Sequence, residues 1–164
     1  MKTVKKRSQK QEKSVAKSFN AKTTVASGAL WGAKGDVRND KFLIECKTTT
    51  KTWYSLTAKT WEKIEQEAIR DHMRIPLMVI DLEDKDRVVV FRMKDFSDVP
   101  VRVMLPNKKD KGFSSCRISA SNLGYNDQKD YIRMRVFVIC GEKENVLCSM
   151  LQKDFEESFK EELQ

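Results

Sequence analysis

Glu45 and Lys47 end an apolar run, "FLIECK" (residues 42–47), and Asp36 stands nine residues before Glu45. On a strand, residues two apart project from the same side, so Glu45 and Lys47 share a face. If Asp36 joins them, that face holds two hard oxygen ligands and one ammonium. Mg²⁺ prefers oxygen donors and keeps several waters, so one or two carboxylates suffice when a substrate phosphate supplies the rest. Such an ion acidifies a water and polarises a phosphoryl oxygen. A neighbouring lysine stabilises the charge that develops during attack. The chemistry in view is metal-assisted phosphodiester hydrolysis. Glu-x-Lys alone reads as a surface ion pair, so the site depends on Asp36.

A hairpin is what would bring Asp36 into place. Asn39-Asp40 is a turn signal between Val37-Arg38 and Lys41-Phe42. A two-residue turn there sets Val37 opposite Phe42 and Asp36 opposite Leu43. Asp36, Leu43, Glu45 and Lys47 then project from one side, and Phe42, Ile44 and Cys46 from the other. Asp36 and Glu45 become diagonal neighbours, roughly 7–8 Å apart at the backbone. A three-residue turn would break this parity.

Other elements must support the hairpin. Ser8 and Gln11 have capping-box spacing for a helix. Glu12, Val15, Ala16 and Phe19 fall on one helical face, which turns Glu12 inward and leaves the lysines outside. Gly28, Gly32 and Gly35 mark an irregular approach; without Gly-Lys-Ser/Thr it is no P-loop. Thr57 is a candidate N-cap, Leu56 and Trp61 a candidate hydrophobic staple, and Trp61, Ile64 and Ala68 an apolar face. "IPLMVIDLE" and "DRVVVFRM" read as paired buried strands. After the basic loop "PNKKDKGFSS" come two more strands, "YIRMRVFVIC" and "NVLCSMLQ". A closing helix carries Phe155, Phe159 and Leu163 on one face. Residues 76–96 and 135–155 align without gaps and both end in Lys-Asp-Phe, by duplication or by chance. The order predicts an α/β or α+β sandwich on a mixed sheet. Residues 1–99 form the core, and 100–164 a strand-rich extension packed on that core or on a dimer partner.

Composition narrows the partners. The 164 residues carry a net charge of +8, with seven cations and one acid among residues 1–17, which favours polyanions. No apolar run approaches the ~20 residues of a membrane span. The basic start lacks the apolar segment of a secretory signal, so the expected location is cytoplasmic. Cys46, Cys116, Cys140 and Cys148 fit no zinc spacing, and His72 is the only histidine. They read as reduced cysteines.

Taken together, "SGALWGAKGDVRNDKFLIECKTT" resembles the PD-(D/E)XK nuclease core, most closely its archaeal and phage-type Holliday-junction-resolvase branch. The resemblance runs from about residue 5 to 96. It implies a restriction-endonuclease-like mixed sheet flanked by helices, homodimerisation, and Mg²⁺- or Mn²⁺-dependent cleavage of branched DNA. Asp36 and Glu45, with the Cys46 carbonyl, would bind metal, Lys47 would assist the attacking water, and Glu12 would complete the site. Ser27 would contact a phosphate or a metal-bound water. Candidate DNA contacts are Lys6, Arg7, Lys10, Lys34, Lys51, Lys108, Lys109 and Lys111, and Trp31, Trp53 and Tyr54 are candidate stacking residues. Two departures stand out: Gly35 replaces the proline of the family name, and residues 100–164 exceed what a minimal resolvase needs. A flap- or single-strand-specific nuclease and a non-catalytic nucleic-acid-binding protein are the alternatives.

Overall fold

The computed structural model describes residues 2–24, 35–83, 86–96, 113–123 and 134–163, with side chains from Lys6 onward. Helix α1 (Lys2–Ser18) leads through β1 (Lys22–Thr23) to the hairpin β2 (Val37–Arg38) and β3 (Phe42–Thr48). Strand β4 (Tyr54–Thr57) runs directly into α2 (Ala58–Arg70). Then come β5 (Ile75–Asp81), β6 (Arg87–Arg92) and a 3₁₀ turn at Met93–Asp95. Strand β7 (Ser115–Ile118), the hairpin β8 (Met134–Cys140) and β9 (Glu144–Leu151), and α3 (Gln152–Ser158) complete the order. Seven strands form one sheet in the order β1-β2-β3-β5-β6-β9-β8, while β4 and β7 pair separately. Only β3 and β5 run parallel, joined through α2; every other pair is antiparallel. The protein is therefore a mixed α+β sheet flanked by helices, with a C-terminal hairpin and helix.

Alternation along the strands divides the core into two layers. Phe42, Ile44, Cys46, Leu77, Val79, Val89 and Phe91 face α1 and α3. Leu43, Met78, Ile80, Val88 and Val90 face α2 and the β4–β7 pair. Strands covered on both sides read as near-continuous apolar runs, as "PLMVI" and "VVVF" do. Helix α2 begins as its sequence predicts: the Thr57 side chain accepts from Thr60 N–H at 3.2 Å. Trp61, Ile64 and Ala68 are buried. A buried ion network pins α2 to the sheet. Glu65 is 2% exposed and accepts from Arg92 and Lys143, each at 2.5 Å, while Arg92 also binds Asp95. Burial alone would raise the Glu65 carboxyl, but Lys143 and Arg92 outweigh it and hold the group below its ordinary value.

The C-terminal hairpin is continuous with this sheet, since β9 pairs with β6 from Val88↔Leu151 to Arg92↔Leu147. Phe155 of α3 is fully buried against Phe19, Phe91, Phe96 and Phe159. The two Lys-Asp-Phe phenylalanines thus meet, with Phe96 and Phe155 at 5.4 Å between ring centres. Their hairpins are not superposable in register. Leu77 opposes Phe91, but Val136 opposes Cys148, two residues short of the aligned position.

Four local expectations need correction. Helix α1 starts six residues before Ser8, which lies mid-helix and donates to Glu12 at 3.0 Å, so Ser8 and Gln11 form no capping box. The turn after β2 is displaced from Asn39-Asp40: Arg38 opposes Leu43, Val37 opposes Ile44, and Asn39 N–H donates to the Phe42 carbonyl at 3.1 Å. Asn39 causes this, because its Oδ1 accepts from the backbone N–H of both Lys41 and Phe42, at 3.0 and 2.7 Å. Tyr54–Thr57, to which the sequence assigns no strand, form β4 and pair with β7, which begins where the basic loop "PNKKDKGFSS" ends. The closing helix is regular only through Ser158.

Candidate functional site

The shifted turn slides the hairpin by two residues and so leaves the parity of Val37 and Arg38 unchanged. Asp36, the residue before the paired strand, donates its N–H to the same Ile44 that Val37 opposes, so both sit against Ile44 as in a β-bulge, and the Asp36 carboxylate reaches the Cys46 N–H beside Glu45. Asp36 is tied on three sides: its N–H donates to the Ile44 carbonyl at 3.0 Å, its carbonyl accepts from Thr24 N–H at 2.9 Å, and its Oδ2 accepts from Cys46 N–H at 2.8 Å. Gly35 makes this approach with φ of +69°, and a Cβ there would sit 2.8 Å from Leu43 Cγ. Proline, fixed near φ −65°, cannot adopt that conformation. The turn itself is anchored by Arg74, which donates to the Asn39 carbonyl at 2.5 Å and pairs with Asp71 at 2.6 Å.

On the same strand, Lys47 Nζ lies 2.5 Å from Glu45 Oε1. Burial and then the charge of Asp36 raise the Glu45 carboxyl above its ordinary value, and Lys47 offsets this only in part. Burial would lower the Lys47 ammonium, but Glu45 keeps it above its ordinary value. Lys47 therefore carries its proton at neutral pH. The Cys46 side chain turns to the other layer, where burial raises its thiol; the charges of Asp36, Glu12 and Glu45 add to that.

Glu45 and Lys47 line a cleft of about 640 Å³ between β3, β4 and α2. Tyr54, Thr57, Lys59, Lys63, Glu67 and Glu142 also border it. The Tyr54 hydroxyl is raised by burial and lies near enough to Lys47 to feel its charge. Glu67 adds to the negative charge felt by Glu45. Sequence reasoning did not single out Glu67; its i+3 spacing from Ile64 on α2 was the available signal.

Glu12 is placed differently from Asp36 and Glu45. It rises from α1, which packs on the Cys46 side of the sheet, and accepts from Ser8. The polar residue that α1 buries is Gln11, 1% exposed. Its Nε2 donates to the carbonyls of Lys47 and Val79, both at 3.0 Å, and its Oε1 accepts from Thr48 at 2.7 Å. Gln11 thereby clamps the parallel strands beside the site. Among the described residues, no three His, Cys, Asp or Glu side chains are gathered around a potential metal position.

The candidate DNA contacts fall into three groups. Ser27, Lys34, Lys108, Lys109 and Lys111, like Trp31, lie outside the described residues. Lys6 and Lys10 are exposed on α1, whereas Arg7 donates to the Leu82 carbonyl at 2.7 Å and braces the helix. Lys51 stands over the Trp53 ring at 4.6 Å, and Arg117 stands over the same ring at 4.4 Å. All four cysteines are free. No helix among the described residues is long and apolar enough to cross a membrane.

No family model matches the chain, and no curated protein matches it. Among solved structures, Hjc, a Holliday junction resolvase from the archaeal hyperthermophile Archaeoglobus fulgidus, is similar at 18% identity and a TM-score of 0.43. The match covers 67% of this chain and 85% of that one.

Proposed function

We propose that the protein is a metal-dependent endodeoxyribonuclease of the PD-(D/E)XK kind that hydrolyses phosphodiester bonds in branched DNA as a homodimer. The observation that carries the reading is the Asp36 carboxylate, held by the Cys46 N–H close enough to raise Glu45, with the Lys47 ammonium at 2.5 Å from Glu45 on the wall of the cleft.

The donor set fits a divalent cation. Two carboxylates held together, one of them raised by burial and by the other's charge, are an unfavourable pair until a positive charge lies between them. Asp36 and Glu45, with the Cys46 carbonyl, would hold Mg²⁺ or Mn²⁺, and a bridging substrate phosphate would complete the coordination. When bound, the ion supplies Lewis acidity toward the phosphoryl oxygen and lowers the pKa of a water.

The chain's own groups do the positioning. Lys47, kept protonated by Glu45, directs its ammonium into the cleft toward the phosphate and the attacking water, where negative charge accumulates. Gln11 and the Cys46–Asp36 hydrogen bond fix the β3 backbone on which both groups stand. Glu12 serves as an outer carboxylate that holds a water. The net charge of +8 favours the DNA polyanion without selecting its shape.

The test is cleavage of a labelled four-way junction beside a matched duplex, a flap and a single strand, with Mg²⁺ and with EDTA. Paired metal-dependent nicks near the crossover, absent in Glu45→Gln, are expected. Cutting of the flap or single strand alone would retain the site and replace the substrate. Binding with no cleavage of any substrate would overturn the enzyme reading.

A further inference from the structure

The pairing of β4 with β7 exposes one side that the proposed chemistry does not use. Leu56 and Ile118 are fully buried against α2 and the main sheet. Alternation turns Ser55 and its partner Arg117 the other way, and both are exposed. Trp53, two residues before Ser55, shares that side: the Arg117 guanidinium lies 4.4 Å from its ring centre, and Lys51 Nζ lies 4.6 Å from the same ring. A third cation adjoins them, since Arg135 donates to the Arg117 carbonyl at 2.8 Å.

None of these three cations has a carboxylate within 4 Å among the described residues, whose ion pairs involve other lysines and arginines. Surface cations of a protein with 24 acidic residues commonly find one. Here an indole face holds two of them instead, a contact that orients a cation without neutralising it. Oriented cations that pair with no carboxylate of the described residues suit, on an exposed sheet face, an anionic ligand of extended shape. The next residue, Tyr54, points to the opposite side of β4 and lines the cleft with Glu45 and Lys47, so the patch and the cleft lie on the two sides of one short strand.

We propose that Trp53 templates Lys51 and Arg117 into a phosphate clamp for the DNA strand that leaves the cleft across the outer side of β4–β7. This rests on the nuclease reading for the identity of the strand. The ring fixes where the two charges stand, the cations contact successive backbone phosphates, and Arg135 adds to the local positive field. Contacts of this kind carry affinity and register without base sequence.

The test is DNA binding by the full chain in EDTA, titrated over a range of salt with a labelled duplex and a labelled single strand. Lys51→Gln and Arg117→Gln should each weaken binding and reduce the slope of log K against log salt by about 0.7–0.9, the value for one phosphate contact. Trp53→Leu keeps both charges and should still weaken binding several-fold, because the charges are no longer placed. In a Trp31→Phe background, where the buried Trp61 is the other remaining indole, DNA should alter the fluorescence, and the Trp53 share is the part lost in Trp31→Phe/Trp53→Leu. Unchanged affinity and slope in all three variants, or unchanged Trp53 fluorescence at saturating DNA, would overturn the clamp. Because no cleavage is read, the two proposals fail separately: Glu45→Gln should keep the parent salt slope, whereas a wild-type protein that binds through the clamp but never cuts would sink only the nuclease reading.

Discussion

Cys46 N–H fixes the Asp36 carboxylate at 2.8 Å, and the Asp36 N–H holds the Ile44 carbonyl at 3.0 Å, so Asp36 is locked against β3 where its charge raises the neighbouring Glu45. Asp36 is thus set by backbone hydrogen bonding, while Lys47 offsets the raised Glu45 only in part. That combination of rigidity and like charge underlies the first three predictions.

Asp36→Asn and Glu45→Gln should each lower cleavage by about 10²–10³-fold or more, the range for losing one electrostatic group at a reacting centre. DNA affinity measured in EDTA should be unchanged or tighter, since a negative charge facing phosphate is removed. Parent rates in either variant would show that the site lies elsewhere.

Stability should report the same strain. Because the folded-state pKa of Glu45 is raised, its contribution is fully present below the ordinary value of 4.5 and is lost as pH rises through the folded value. Glu45→Gln should therefore gain stability relative to the parent as pH climbs from 4 to 7. Urea unfolding at several pH values checks this; a gap that stays constant across the range contradicts it.

Divalent metal should reverse that order. Mg²⁺ or Mn²⁺ bound to the native pair stabilises the parent by about 2.7 kcal/mol at one hundred times its dissociation constant. Thermal melts with and without metal should show an upward shift in the parent, and none in Asp36→Asn or Glu45→Gln. Equal shifts in all three proteins would place the cation outside this pair.

Gly35→Ala tests the approach to Asp36. A side chain at φ +69° costs roughly 1–2 kcal/mol, and the added Cβ presses on Leu43. Lower stability together with reduced cleavage is expected, from urea unfolding and junction assays on the same preparation. Wild-type stability would mean that the backbone there relaxes freely.

The Glu65 network offers a control remote from Asp36. Arg92→Met leaves a buried carboxylate with Lys143 alone, and breaking such a pair costs about 3–5 kcal/mol. Glu65 is depressed, so the parent's stability from this group is present above pH 4.5 and is lost as pH falls through its lower folded value. In Arg92→Met that acid-side loss should shrink, as acid titration of unfolding would reveal.

The faces of β3 were legible in the sequence because side-chain alternation has a period of two. The slide from the expected Val37↔Phe42 to Val37↔Ile44 was also by two residues, so every side chain kept its side. Thr57, Trp61, Ile64 and Ala68 were legible for a similar reason: capping and helical periodicity act within a few residues of chain. The choice between Gln11 and Glu12 was not local. Both lie near the inward face of α1, and Gln11 is the one buried because the carbonyls of Lys47 and Val79, on two strands brought together by the β3–β5 crossover, require a donor there. The pairing of β4 with β7, about sixty residues apart, was beyond any local pattern as well. Alternation and capping, which short stretches of sequence encode, thus determined which residues share a face; only the tertiary structure decided which faces meet, because distant backbone groups had to find their hydrogen-bond partners.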